Sequence, residues 1–347
     1  MVSSAQESRA GNEILQRFTD ALVLGDCLKV LRQLPPASID LIYADPPFFT
    51  GRWFSIGKEL IFDDRWSGGL HQYLNWIYPR LVECRRVLKG TGSIYVHSDT
   101  HASHYLKMIL DRIFGYENMV NEIIWQRQSA HNDGKQGARH FGRVHDTILF
   151  YSKGGEYHWN PTYLPYDERS LKSYRYIERD TGRRYAQGDL TGPGGFAKGN
   201  PFYEFLGIKR YWRYSKEKMQ QLYEERRIIQ STGETVPRMK RYLDEMQGIH
   251  VQDVWTDSCV RRGKAESLYP TEKPISLLRR IILASTAKGS IVLDPFCGSG
   301  TTLLAATRLG RHWIGVDVSK AAIDVSRNRL SVVNGRPPRI LTGQASR

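Results

Sequence analysis

Four times in this chain a short apolar run stops at an aspartate. Ala21 to Leu24 precedes Gly25-Asp26, Asp40-Leu41-Ile42-Tyr43-Ala44 precedes Asp45, Ser290 to Leu293 precedes Asp294, and His312 to Val316 precedes Asp317. Continuous apolar runs of this length are what a strand buried on both faces requires, whereas a strand with one wet face alternates. Between such runs the apolar spacing changes to that of helices. Leu28, Leu31 and Leu34 follow the first run and are stopped by Pro35-Pro36. Leu74, Ile77, Leu81, Cys84 and Leu88 follow the second, with Pro79 expected to kink that helix or mark a new start. Gly92 to His97 reads as the next strand, and Leu106, Ile109, Leu110 and Ile113 as the next helix face. Pro274 opens a helix carrying Leu277, Leu278, Ile281 and Ile282, and Ser319 is placed to cap the last helix. This alternation predicts an α/β fold, a doubly wound and mostly parallel sheet covered on both faces. Glu122 to Trp125 and Thr147 to Tyr151 flank a loop of Gly, His, Arg and Lys, and predict an antiparallel hairpin closing one edge of the sheet.

The alternation fails between Lys153 and Lys264, where short Gly-, Tyr- and Arg-rich pieces hold one convincing helix, near Lys216 to Arg227. The expected organisation is a flexible tail over 1–17, a first part of the sheet domain over 18–152, an inserted segment over 153–264, a second part over 265–335 and a tail over 336–347. The insertion holds 17 of the chain's 39 aromatic residues, with cations interleaved in Tyr174-Arg175-Tyr176 and Lys209-Arg210-Tyr211-Trp212-Arg213-Tyr214. Fifty Lys and Arg against 36 Asp and Glu leave a formal charge of +14, which calls for a polyanionic partner. Interleaved cations and rings suit nucleic acid, since cations hold phosphates while rings stack on bases or pack on sugars. A small domain whose tyrosines fill a poor core is the alternative for any one of these residues. Four widely spaced cysteines offer neither a zinc motif nor a disulfide framework, and no metal site is evident. No apolar run approaches the ~18 residues of a membrane span, and the expected location is the cytoplasm.

Two turns carry the chemistry. In Asp294-Pro295-Phe296-Cys297-Gly298-Ser299-Gly300-Thr301-Thr302, the glycines permit a tight turn and close approach of a ligand to a helix N-terminus. Leu303 occupies the place of a third glycine, against a dinucleotide fingerprint. Asp317 lies 19 residues after Gly298, at the offset where an acid accepts from ribose hydroxyls, so the pair suggests a nucleoside-containing cofactor. In Asp45-Pro46-Pro47-Phe48, two prolines can join neither a ladder nor a helix interior, and so hold a rigid turn. A fixed carboxylate beside a fixed ring is what is needed to hold a planar base with an exocyclic amine, although a structural turn would also use these residues.

From about Leu22 to Leu330 the sequence resembles the DNA amino-methyltransferases, which transfer a methyl group from S-adenosylmethionine to adenine N6 or cytosine N4. Asp45-Pro46-Pro47-Phe48 resembles their catalytic tetrapeptide, with Phe48 where Tyr is commoner, and Asp294 to Thr302 resembles their cofactor loop. Catalytic motif first and cofactor loop last is the order of the beta class, a circular permutation of a Rossmann-like domain. The resemblance implies that Asp45 and the Pro46 carbonyl accept from the target amine, that Phe48 stacks on the flipped base, and that Pro47 holds the turn. It implies a cofactor site of Asp26, Lys273, Asp294, Pro295, Phe296, Gly298, Gly300, Thr301, Thr302, Asp317 and Val318, with Asp26 on the adenine amine, Asp317 on the ribose and Lys273 toward the carboxylate. The loop from Arg127 to His145 resembles the target-base motif, which with the insertion implies DNA contacts by Arg127, His131, Lys135, Arg139, Arg210 and Arg213. Cys297 reads as a filler, and His97, His131 and His145 receive no role beyond DNA contact. Asp at the first catalytic position favours adenine over cytosine. The implied partners are double-stranded DNA, a second copy of the chain and a cognate restriction endonuclease. RNA methylation, a DNA-binding protein without catalysis and a nicotinamide dehydrogenase are the competing readings.

Overall fold

The computed structural model describes residues 2–56, 59–128, 137, 139–257 and 272–343. Where a tail was expected over 1–17 it has a helix, α1 (Val2–Phe18). Among its described side chains the last turn anchors it: Phe18 is 3% exposed and Leu15 packs beside it on the core, while residues 9–14 are mostly exposed. β1 (Ala21–Leu24) leads to α2 (Cys27–Gln33), capped by Asp26, whose Oδ1 accepts from the Leu28 amide at 2.9 Å. β2 (Ile39–Ala44) ends at Asp45, and a hairpin of β3 (Trp53–Ile56) and β4 (Glu59–Asp63) precedes α3 (Gly69–Val87). That helix continues through Pro79 rather than ending there. β5 (Leu88–Ser98), α4 (Ser103–Phe114), β6 (Met119–Gln126) and β7 (His145–Ser152) follow.

The chain then enters a second compact unit, Tyr163–Val251, inserted between Met1–Thr162 and Gln252–Arg347 of the first. It lies within the expected insertion of residues 153–264 and is shorter at both ends. Amides of Lys153, His158 and Asn160 donate to Gly92, Thr91 and Ala284, which ties 153–160 to the first unit. The second unit holds β8 (Tyr163–Leu164), α5 (Glu168–Leu171), β9 (Tyr176–Ile177), β10 (Arg184–Asp189), β11 (Phe202–Phe205), β12 (Ile208–Tyr211), α6 (Lys216–Glu224), β13 (Ile228–Ile229), β14 (Arg238–Tyr242) and β15 (Ile249–His250). Its core gathers Leu190, Phe205, Trp212, Met219, Leu222 and Ile228.

Back in the first unit come β16 (Val254–Trp255), α7 (Ile275–Ser285), β17 (Ile291–Asp294), α8 (Thr301–Arg308), β18 (His312–Asp317), α9 (Lys320–Asn334) and β19 (Arg339–Thr342). Nine strands form one sheet in the order β16-β6-β7-β5-β2-β17-β18-β1-β19. Only β7 runs against the rest. The β6–β7 hairpin is present but does not close the sheet, because β16 adds a short parallel strand beyond β6. The stretch 336–347, expected to be a tail, supplies β19, which pairs with β1 from Ala21 opposite Arg339 to Leu24 opposite Thr342. Its side chains are largely exposed, so backbone pairing rather than an apolar pattern places it. Among the described residues no helix is long and apolar enough to cross a membrane.

β2 and β17 are neighbours, with Leu41 opposite Val292 and Ile42 opposite Leu293. From β2 the chain passes through α3 to β5 on one side, and from β17 through α8 to β18 on the other. Connections that diverge in this way leave a crevice at the carboxyl ends of the two strands, where ligands bind in open α/β sheets.

If the N-terminal helix is a packed part of the domain, Phe18→Ala should destabilise it by about 3–5 kcal/mol, the usual cost of emptying a buried Phe site. A lower thermal midpoint, with earlier proteolysis near residue 18, is the expected outcome; an unchanged midpoint would show that α1 contributes nothing.

Candidate active site

A cavity of about 340 Å³ occupies the crevice, within the ~300–1,000 Å³ range of small-molecule sites. Its lining includes Asp26, Asp45 to Phe48, Lys273, Asp294 to Gly298, Thr301, Thr302, Asp317 and Val318. The cofactor residues expected from sequence therefore converge, with one exception. Gly300 does not face the cavity; it caps α8 at φ +74°, and a Cβ there would meet Ser326 Oγ at 2.7 Å. Its role is to let the loop turn against α9, where Ser326 Oγ donates to the Gly298 carbonyl at 2.7 Å.

Three carboxylates from the ends of β2, β17 and β18 face this one space, and each is accommodated differently. Asp317 Oδ2 accepts from the Gly298 amide at 2.9 Å and Oδ1 from the Ser319 amide at 2.8 Å. Burial still pushes its carboxyl above the ordinary value. Asp294 is 2% exposed, and its carboxyl is pushed up to about 7, chiefly by burial and further by Asp45 and Asp317, against hydrogen bonds from Thr302 and the Phe296 amide. Asp45 Oδ2 takes an ion pair from Lys273 Nζ at 2.5 Å, while its Oδ1 is buried without a hydrogen-bond partner among the described residues. Lys273 thus sits on Asp45, where the resemblance implied a cofactor carboxylate and the bare sequence equally allowed a surface lysine near a helix start. The two residues lie 228 positions apart, and only the fold brings α7 beside β2. The Cys297 thiol, raised far above its ordinary value by burial, remains protonated and fits the filler reading.

Phe48 is held at one face. Its ring stacks on His97 with centroids 5.5 Å apart and planes 27° from parallel, and Lys273 Nζ lies 5.1 Å from its centroid. His97 is fully buried, which removes the DNA contact left open for it by sequence. Its Nε2 faces Asp146 Oδ2 at 3.3 Å and its Nδ1 the Tyr43 hydroxyl at 2.7 Å. A carboxylate only accepts, so Nε2–H donates to Asp146. Burial alone would raise the Asp146 carboxyl, but the hydrogen bond and charge of His97, with Arg127, hold it below the ordinary range.

Several residues in and around the cavity were missed in the sequence. Arg80, on α3, places Nη2 on both Asp26 oxygens at 2.9 and 3.0 Å, and its guanidinium carbon lies 4.0 Å from the centre of the Trp76 ring. A cue existed, because Arg80 falls three after Ile77 and four before Cys84 on the apolar face, where a charge must be paired. Trp76 meets Phe296 at 5.8 Å between centroids. Arg329, on α9, bonds the Ser299 carbonyl at 2.9 Å and pairs with Glu272 at 2.7 Å, which joins the segment before α7 to the glycine loop.

The expected DNA contacts divide. Arg127 Nη1 pairs with buried Asp146 at 3.0 Å, so part of its guanidinium is committed inside the domain. His131 and Lys135 lie outside the described residues, and Arg139 is exposed. In the second unit, Arg213 is exposed, with Nε donating to the Thr191 carbonyl at 3.0 Å. Arg210 lies opposite Tyr203 in the β11–β12 ladder and is partly covered, while its neighbour Lys209 is exposed. The interleaved rings divide between core and surface: Trp212 is fully buried with Nε1 donating to the Tyr203 carbonyl at 2.9 Å, and Tyr174 is buried, while Tyr176, Tyr211 and Tyr214 are half-buried. Among the described residues no His, Cys, Asp and Glu cluster could hold a metal ion.

Residues 39–328 match the family model of the DNA methylases. The type II methyltransferase M.EcaI of Enterobacter cloacae is 36% identical over 314 residues, which is 86% of this chain and 65%, just under two thirds, of that relative's length. The DNA adenine methyltransferase YhdJ of Escherichia coli is 28% identical over 335 residues, 96% of this chain and 88% of its own. Among solved structures, the Thermus thermophilus protein TTHA0409, in complex with S-adenosyl-L-methionine, superposes with a TM-score of 0.52 at 18% identity, covering 94% of this chain and 99% of that one, a likeness of fold. With its sheet, its crevice and the family match over most of its length, this chain belongs to the DNA methylase family.

Proposed function

We propose that the protein transfers a methyl group from S-adenosylmethionine to the exocyclic N6 of adenine in double-stranded DNA. The observation that carries this reading is Asp45, beside the Phe48 ring: one oxygen is occupied by Lys273, the other is buried and without a partner among the described residues. A buried acceptor left unpaired costs about 1–3 kcal/mol, and an amine hydrogen of a bound base would remove that cost. The name of the E. coli relative, an adenine methyltransferase matched over 88% of its length, supports the choice of base.

The residues present fit the cofactor. Asp317 has both oxygens tied to amides yet keeps a further lone pair on each for ribose hydroxyls. Asp26, oriented by Leu28 N and Arg80, keeps acceptor capacity on Oδ2 for an adenine amine. Trp76, Pro295 and Phe296 supply an apolar wall, and the glycine loop lets a ligand approach the end of β17. When bound, the cofactor supplies an electrophilic sulfonium methyl group. The adenine amine is a poor nucleophile because its lone pair is delocalised into the ring. Asp45 Oδ1 and the Pro46 carbonyl, accepting its two hydrogens, draw the nitrogen toward tetrahedral geometry and expose the lone pair for in-line attack. Asp45 Oδ1 would hold the amine hydrogen that is released to solvent as a proton once the nitrogen carries the methyl group. Phe48 stacks on the flipped base and offsets part of an unstacking cost of a few kcal/mol. Positioning and preorganised acceptors supply most of the acceleration.

Incubation with cofactor and duplex DNA, followed by hydrolysis to nucleosides, should yield N6-methyladenine. N4-methylcytosine would reassign the base while keeping the family, and no methylated nucleoside would overturn the reading. Asp45→Ala should cut turnover by at least ~10²-fold, the scale for removing a preorganised group, with cofactor affinity within a few-fold of wild type. Turnover close to wild type would remove Asp45 from the mechanism. For DNA binding, Lys209→Ala with Arg213→Ala should lower the slope of log affinity against log salt by roughly 1–2, at ~0.9 per phosphate contact, and Arg210→Ala should lower it less. An unchanged slope would place the phosphate contacts elsewhere. Asp294 adds a pH signature. Its folded carboxyl titrates at about 7 against an ordinary 3.8, so ionising it costs stability progressively between those values and fully above the upper one. Asp294→Asn should therefore melt higher than wild type at pH 8, with the gain gone by pH 4; a gain equal at both would refute the buried titration.

A further inference from the structure

One fully buried carboxylate beside the site has no part in the chemistry above. Asp64 follows the β3–β4 hairpin and accepts four hydrogen bonds, two at each oxygen. Oδ1 takes the Phe49 amide and the Trp66 indole N–H, both at 3.0 Å, and Oδ2 takes the Thr50 amide at 2.7 Å and the Thr50 hydroxyl at 2.6 Å. The backbone is bound as well, with the Asp64 amide donating to the Arg52 carbonyl at 2.8 Å and the Gly51 amide to the Asp64 carbonyl at 3.2 Å. Three of the four side-chain bonds go to the two residues directly after Phe48.

Phe49 is where this matters. It adopts φ +62°, the left-handed region, which an aromatic residue occupies at a cost of about 1–3 kcal/mol and only when its surroundings over-determine it. Prolines 46 and 47 restrict the backbone before Phe48, and the left-handed Phe49 sets the direction of the backbone after it. Buried His97 fixes one face of the ring. Four donors filling a buried carboxylate supply the surroundings that the Phe49 conformation requires.

We propose that Asp64 is a positioning residue for methyl transfer: by holding Phe49 and Thr50 it fixes where the Phe48 ring meets the target base. This rests on the reading of Phe48 as the stacking surface. An amide is no substitute for the carboxylate. In either orientation, Asn turns its NH₂ toward a backbone or indole N–H, so at least one buried N–H loses its acceptor.

The test is Asp64→Asn in the full chain, with single-turnover rate, DNA and cofactor affinities, and the emission of a fluorescent base analogue at the methylated position. The expected result is a turnover loss of about 10²-fold, the scale of a ~1 Å misplacement, with both affinities within about threefold of wild type. Analogue emission should exceed that of the wild-type complex, because a flipped base that stacks poorly on Phe48 is quenched less. Trp66→Phe, which removes one donor and keeps a ring, should shift rate and emission in the same direction by a smaller factor, and decides the matter if Asp64→Asn does not fold. Wild-type rate and emission in a folded Asp64→Asn protein would overturn the proposal, as would loss of cofactor affinity in parallel with rate, which marks a general structural role. Phe48→Ala serves as the separate control: if it keeps wild-type rate and emission, the stacking role of Phe48 fails, whatever Asp64 does.

Discussion

Four parallel rungs between β1 and β18, from Ala21 opposite Ile314 to Leu24 opposite Asp317, join the two ends of the chain. Without this pairing the turn at Asp26 and the end of β18 at Asp317 would be nearly 300 residues apart with nothing to bring them to one cavity. The register sets more than proximity. Leu24 and Asp317 lie level, so Gly25, whose amide donates to the Asp317 carbonyl at 2.9 Å, begins its turn where β18 ends. The edge of β1 that β18 leaves open is taken by β19, so a strand near the N-terminus is interior to the sheet. A permuted order of motifs is therefore no obstacle to the site: a parallel sheet requires only that strands lie side by side with their carboxyl ends together, and sequence order decides which loops connect them.

Bringing carboxyl ends together also brings acids together, and the local chemistry follows from how their repulsion is relieved. Asp317 is satisfied by two backbone amides, Asp294 by a carboxyl raised to about 7, and Asp45 by the Lys273 ammonium. Among the described residues, only the last leaves a buried oxygen with no hydrogen-bond partner. Asp317 is bound to the loop it shapes, and Asp294 holds its own turn through the Phe296 amide at 3.1 Å. An acceptor kept available, and fixed by an ion pair at its other oxygen, is the arrangement suited to act on a ligand rather than on the protein. The same logic distinguishes Asp64, whose four bonds leave it no capacity for a ligand at all.

What could be read in the sequence was what depends on neighbouring residues. Apolar runs ending at Asp45, Asp294 and Asp317, the Pro46-Pro47 turn and the Ser319 cap are local signals, and each stands where the spacing put it. The helix over 2–18 and the strand over 339–342 were invisible because their placement comes from an anchor in one turn and from backbone pairing, neither of which leaves a period. Lys273 on Asp45 and Arg80 on Asp26 join residues 228 and 54 positions apart, and no pattern in the chain specifies such a partner. The same holds for His97 under Phe48, two rings that meet only because β5 lies beside β2. Lys273 in particular was a cation near a helix start, and an ammonium carries no directional mark of which carboxylate it will meet.

The basic and aromatic stretch after Ile208 shows how a strand sorts a mixed sequence. Residues two apart share a face, so Ile208 and Arg210 lie on one side of β12, and Lys209 and Tyr211 on the other. Across the ladder Phe205 faces Ile208 and Tyr203 faces Arg210, and that side packs on the unit's core. Arg210 is thereby drawn partly under cover, while Lys209 stays in solvent with Phe202 at 5.8 Å. Beyond the strand, Trp212 enters the core and Arg213 leaves it. Counting cations and rings therefore overstates the surface available to a polyanion, because Arg210 and Trp212 face inward. The charges that can reach a phosphate in this stretch are those at alternate positions, and a charge-rich strand should be weighed by its exposed face rather than by its composition.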